Sequence, residues 1–226
     1  MRVTGRGVAV AASIGIAIML GTGTSHAQTV PAEALVESLR EGGYVLVMRH
    51  ARSPREVPDR QTANADNVKR ERQLDDAGRV GAAAMGKALR DLAIPIGSVL
   101  TSPAYRAVET VRHAQLARPQ IHVELDDLAQ STQGAANAQA AWLREQATRI
   151  PASTNTIVVS HLQNIARAFP KWDPLAEGEV VVVGSDGKGG TRAAGRIKIE
   201  EWPRLAASRA ADDIVDELRF RNGGRR

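Results

Sequence analysis

The sequence predicts one α/β domain: three layers, with a mostly parallel central sheet flanked by helices and a C-terminal antiparallel hairpin. Three observations predict it. Short apolar runs of strand length, Tyr44–Met48, Ser98–Thr101 and Asn155–Ser160, alternate with segments of helical period. Two β-rich runs, Glu179–Val183 and Thr191–Trp202, flank the turn cluster Ser185-Asp186-Gly187-Lys188-Gly189-Gly190. No internal repeat and no Pro/Gly/Ser-rich linker divides the chain of 226 residues.

The elements follow in order. Pro31–Leu39 carries Ala32, Leu35, Val36 and Leu39 at helical spacing, and Gly42-Gly43 ends it. The run Tyr44–Met48 reads as a buried strand that leads into Arg49-His50. Residues 51–73 are polar, charged and aperiodic, a long loop of the kind that carries function. Asp75 is placed to cap a helix over 76–92, with Val80, Met85, Leu89 and Leu92 as its apolar stripe. After the strand at 98–101, Ser102-Pro103 opens a helix to about Ala117, and Ile121–Val123 is a further short strand. Ala135–Ile150 reads as a helix and the strand at 155–160 as buried; a short helix to Phe169 follows His161. Pro203–Arg219 is the last helix, before a basic tail.

Composition excludes several classes. Hydrophobic residues are 43% and charged residues 24%, which suits a folded core and not a disordered chain or a coiled coil. The net charge of +5 favours anionic ligands, but with 3% aromatic residues there is no stacking surface for nucleic acid. Cysteine is absent, which excludes disulfides, thiolate metal sites, thiol nucleophiles and a lipoprotein anchor.

The first 27 residues have the grammar of a cleavable leader. Arg2 and Arg6 precede an apolar run from Val8 to Leu20, and Ser25-His26-Ala27 is a small-x-small cleavage signal. That run is about 13 residues, against roughly 20 for a membrane-spanning helix. The expectation is export to the periplasm or beyond, cleavage after Ala27, a catalytic domain over 28–226 and no membrane association afterwards.

The chemistry collects at strand ends. Arg49-His50, Thr101-Ser102-Pro103 with Arg106, and Ser160-His161 each stand at or just past the carboxyl end of a predicted strand. Open α/β sheets bind ligands beyond that edge, so two arginines and two histidines are expected to converge there. Guanidinium forks suit phosphate oxygens, and no metal cluster is evident. Without a thiol, the nucleophile is a serine, a histidine, a carboxylate or water.

Several stretches resemble the histidine phosphatase superfamily in its phosphoglycerate mutase-like branch: Tyr44–Ala51 (YVLVMRHA), Arg72-Gln73-Leu74 with Gly78-Arg79, TSPAYRAVET over 101–110, and VVSH over 158–161. The resemblance implies a phosphomonoester hydrolase that forms a phosphohistidine on His50, with Arg49, Arg106 and His161 holding the phosphoryl group. It requires no cofactor and no metal, and its substrate is a phosphorylated small molecule or a phosphohistidine. The alternative is a non-hydrolytic phosphoanion-binding member of the same fold. Arg-His-Ala stands where Arg-His-Gly is common, and Leu162 where a glycine is usual. No His-Asp pair follows, which points away from the phytase and acid-phosphatase branch.

The proton donor is sought in the loop after the third short strand. Asp126 and Asp127 rank above Glu124, with Glu109 and His161 as competitors. Arg52 and Arg55 follow the Arg-His pair and are candidates to extend the anion funnel, Arg52 being assigned to substrate binding. His113 and His122 are read as structural.

Overall fold

Four parallel strands bring their carboxyl ends to one edge of the sheet. The computed structural model describes residues 30–128 and 131–223, and the predicted leader over 1–27 lies outside them. The strands are β1 (Tyr44–Arg49), β2 (Ile96–Thr101), β3 (Gln120–Ile121), β4 (Asn155–Ser160), β5 (Val180–Ser185) and β6 (Thr191–Ile197). Their order is β3-β2-β4-β1-β5-β6, with β5 antiparallel to β1 and β6 antiparallel to β5. In the parallel half, Arg49 is level with Ser160 and Thr101 with Val159. The three polar strand ends therefore lie side by side, with β4 in the middle.

The unbroken apolar runs are explained by helices on both faces. Along β1, Leu46 and Met48 face a core built with α1 (Ala32–Glu41), α2 (Asp76–Asp91), α3 (Tyr105–His113) and α6 (Trp202–Gly223). Val45 and Val47 face the opposite core, built with α4 (Gln133–Thr148) and α5 (Leu162–Ala168). The same alternation holds on β5, where Val180 and Val182 join the first core and Val181 and Val183 the second. Strands buried on both faces have no polar position to reveal a period of two, which is why they read as continuous hydrophobic runs. Three layers and the closing hairpin are as predicted.

Local signals set the helix starts. Asp75 accepts the Gly78 backbone N–H at 2.8 Å and caps α2, and Thr132 accepts that of Ala135 at 3.3 Å and caps α4. The predicted stripe of α2 needs one correction, because Val80 is 68% exposed. The buried face instead runs through Gly78, Ala82, Met85, Ala88 and Leu89. Helix α3 ends at His113, short of the expected Ala117, where Gln115 takes a positive φ of 52°. Val123 belongs to a 3-10 turn over Val123–Leu125 and not to β3. Among the described residues, no helix is long and apolar enough to cross a membrane.

The long loop between β1 and α2 is tied down by its own polar side chains. The Gln73 carboxamide accepts the Asn64 N–H at 3.0 Å and donates to the Thr62 carbonyl at 2.9 Å. Asn67 bonds the backbone of Glu71 in both directions, at 2.7 and 2.9 Å.

Candidate active site

Backbone ladders continue one step past the strands and hold His50 in place. The His50 N–H donates to the Ser160 carbonyl at 3.0 Å, and the His50 carbonyl accepts the Gly178 N–H at 2.9 Å. The next residue is held from α3, where the Thr110 hydroxyl accepts the Ala51 N–H at 3.0 Å and donates to the Arg106 carbonyl at 2.8 Å. Position 51 lies in a small cluster with Leu74 and Ala82, with no exposed surface. One threonine thus couples the residue after His50 to the turn of helix that presents Arg106.

Hydrogen bonding selects the tautomer of each histidine. His50 Nδ1 lies 2.7 Å from the Ala51 carbonyl, which only accepts, so Nδ1 carries the proton and Nε2 keeps its lone pair. His161 Nδ1 lies 2.9 Å from Arg106 Nη2, which only donates, so here Nδ1 accepts. His161 Nε2–H then donates to the Ser102 hydroxyl at 2.8 Å. The two rings stand 5.3 Å apart, tilted by 55°.

Burial pushes the His50 pKa down to about 2, and the cationic Arg106 and Arg49 add to the shift. Burial also takes His161 down to about 2, reinforced by Arg106, Arg72 and Arg49. Both imidazoles are neutral at any ordinary pH. Burial likewise lowers Arg49 and Arg106, opposed by the carboxylates of Glu177 and Asp127 respectively.

These groups open on a cleft of about 460 Å³ lined by Arg49, His50, Arg55, Arg72, Arg106, Asp127, His161, Leu162, Gln163 and Glu177. Arg49 donates to the Leu175 carbonyl at 2.9 Å and to Glu177 at 3.2 Å. Arg106 is 5% exposed and pairs with Asp127 at 2.5 Å. The buried Nε of each of these two arginines has no hydrogen-bond partner among the described residues. Two fixed guanidiniums with donors to spare, beside a neutral imidazole with a free lone pair, can receive a tetrahedral oxyanion. Among the described residues no group of three or more His, Asp or Glu is placed to hold a metal ion.

The structure brings together Arg49, His50, Arg106, His161 and Asp127, and it leaves others out. Arg52 turns away: its Nε pairs with Asp75 at 2.9 Å and it does not line the cleft. Asp126 is also off the cleft. Its carboxylate accepts the Asp127 N–H at 2.8 Å and lies 3.4 Å from the Ser102 hydroxyl, so it shapes the turn that presents Asp127. Glu109 is fully buried and braces the long loop, away from the cleft. His122 packs against Trp142, with ring centroids 4.7 Å apart.

Sequence reasoning gave no role to Glu177 or Gln163, and it met Arg72 only as part of a family pattern. Glu177 lies in an irregular stretch, where no period or cap marks a side chain's direction. Arg72 had a usable signal. It closes a loop that starts at His50, and a loop returning to the sheet edge brings its last residues near its first.

Comparison with known proteins finds one family likeness and several likenesses of fold. The model of the histidine phosphatase superfamily (branch 1) matches residues 45–147. No curated protein matches the chain. Among solved structures, the protein histidine phosphatase SixA complexed with tungstate is 22% identical. The match covers 69% of this chain and 97% of that one, at a TM-score of 0.50. The product of an open reading frame of Mycobacterium tuberculosis is 17% identical over 67% of this chain and 95% of that one, also at 0.50. Both likenesses are of fold. Arg49, His50 and Arg106 lie inside the matched span, so in the stretch that carries them the chain resembles the histidine phosphatase superfamily.

Proposed function

We propose that the protein hydrolyses phosphomonoesters through a phosphohistidine on His50. One observation carries the reading: the Ala51 carbonyl holds the proton on His50 Nδ1 and leaves the Nε2 lone pair for phosphorus. Attack forms the N–P bond and breaks the ester P–O bond, and Asp127, a carboxylate beside Arg106, relays the proton of the phosphoryl monoanion to the leaving oxygen. Water then attacks the phosphohistidine, Asp127 takes its proton, and phosphate departs from a neutral His50. Arg49 and Arg106 stabilise the charge on the transferring group, and His161, fixed between Arg106 and Ser102, holds that arrangement.

The test is rapid acid-free quenching of enzyme and nitrophenyl phosphate. A base-stable, acid-labile phosphoryl adduct is expected, and it is lost in His50→Ala together with several orders of magnitude in rate. A His50→Ala enzyme with near wild-type turnover would overturn the mechanism. Phosphate binding without turnover in the unmodified protein would favour a binding role instead. The leader grammar of residues 1–27 supports export, and N-terminal sequencing of the secreted or periplasmic protein should begin at Gln28.

A further inference from the structure

The four guanidinium groups on the cleft are of two kinds. Arg49 and Arg106 each have an acidic neighbour on the cleft wall, Glu177 and Asp127. Arg55 and Arg72 come from the long loop, and neither forms an ion pair with a described residue. Arg72 is nevertheless fixed. Its Nε donates to the Pro54 carbonyl and its Nη2 to the Ser53 carbonyl, both at 2.7 Å, which sets the guanidinium plane and leaves Nη1 over. Backbone carbonyls satisfy donors without neutralising the charge. The charge of Arg72 is felt across the cleft, where it disfavours the protonated forms of Arg106 and His161, and Arg72 and Arg55 together act on Arg49 in the same way.

One phosphoryl group does not use all of this. In the proposed reaction Arg49 and Arg106 meet its oxygens beside the histidines, while the cleft falls within the roughly 300–1,000 Å³ of small-molecule sites. Two further cations on the cleft, unpaired with any described carboxylate, add to the repulsion felt by Arg49 and Arg106, and an anionic ligand relieves that repulsion. We infer that Arg72 and Arg55 form a subsite for a second anionic group on the substrate, a carboxylate or a second phosphoryl group. The preferred substrates are then phosphorylated acids or bisphosphates, not esters of neutral alcohols. The inference rests on the phosphatase reading for its first subsite. A purely structural role, clipping the loop, accounts for the hydrogen bonds of Arg72 but not for Arg55, which makes no hydrogen bond to the described residues.

The experiment uses non-hydrolysable probes, so that it does not depend on turnover. Calorimetry on the full protein compares propylphosphonate, 3-phosphonopropionate and propane-1,3-bisphosphonate. At least one doubly anionic probe should bind roughly ten- to a hundredfold tighter than propylphosphonate, and whichever is favoured identifies the second group. Arg55→Gln and Arg72→Gln should each shrink that ratio, whereas a loosened loop weakens all three probes together and preserves it. Equal wild-type affinities, or a ratio unchanged in both variants, overturns the subsite. Nitrophenyl phosphate turnover, measured in parallel, separates the two readings: no turnover with the ratio intact would defeat hydrolysis and leave the subsite standing.

Discussion

Glu109, buried on α3, accepts the Leu74 backbone N–H at 2.7 Å through one carboxylate oxygen and the Asn64 side-chain amide at 2.7 Å through the other. One side chain thus ties both the middle and the end of the long loop to the helix that presents Arg106. Arg112 adds to the tie: it pairs with Asp66 on the loop and lies 3.5 Å from Glu109. Glu109→Gln replaces one acceptor with an NH₂ that faces a donor. Leaving a buried donor unsatisfied costs about 1–3 kcal/mol, so the urea midpoint should fall and amide exchange at Leu74 should quicken. Unchanged exchange at Leu74 would refute the tie.

Gly78→Ala should damage both stability and activity. A Cβ there would stand 2.1 Å from the Arg52 carbonyl oxygen, and backbone cannot yield cheaply at that distance. Overpacking typically costs about 1–3 kcal/mol, and the strain falls two residues after His50. A variant with wild-type melting and kinetics would show that α2 moves away freely.

The arginines should separate sharply in kinetics. Arg49→Ala and Arg106→Ala should each lose about 2.7–4 kcal/mol of transition-state stabilisation, the scale of one preorganised donor. Arg52→Ala removes an exposed pair with Asp75, worth about 0–1 kcal/mol, and should leave kcat/KM nearly unaltered. A large loss at Arg52 would return it to the substrate.

The proton donor is read from leaving-group dependence. Asp127→Asn should slow an alkyl phosphate by at least about a hundredfold and nitrophenyl phosphate little, because nitrophenolate leaves without a proton. Asp126→Asn, which alters the turn, should affect both substrates alike. Should Glu177→Gln show the selective loss instead, the acid is on the Arg49 side of the cleft.

Acid should destabilise the fold through its histidines. His50 and His161 have folded pKa values of about 2, against about 6.5 when unfolded, so the unfolded chain binds more protons between those limits. Their contribution is complete above about pH 6.5 and declines as pH falls through that window, at up to about 1.4 kcal/mol per pH unit for each. His161→Asn should remove about one proton from the pH dependence of unfolding between pH 6 and 4. An unaltered slope would mean that His161 takes up its proton in the folded state.

Local patterns carried much of this protein. Apolar runs bounded by turn residues marked β1, β4 and the hairpin, and Asp75 marked the start of α2. Arg49-His50 and Ser160-His161 were legible because parallel strands send their carboxyl ends to the same edge, whatever the loops do. Val80 lies exposed despite its helical spacing, because period alone does not say which flank of a stripe the neighbouring helices cover.

The sequence by itself determined the layers and the strand-end histidines and arginines, since period, caps and strand direction are local properties. Tertiary structure decided which loop charges reach the cleft. Arg55 and Arg72 face it while Arg52 turns to Asp75, and Asp127 lines it while Asp126 folds back on its own turn. Those directions are set by hydrogen bonds between distant parts of the chain, such as Glu109 to Leu74 and Arg72 to Ser53. A loop has no repeating backbone geometry to aim its side chains, so these long-range partners do the aiming.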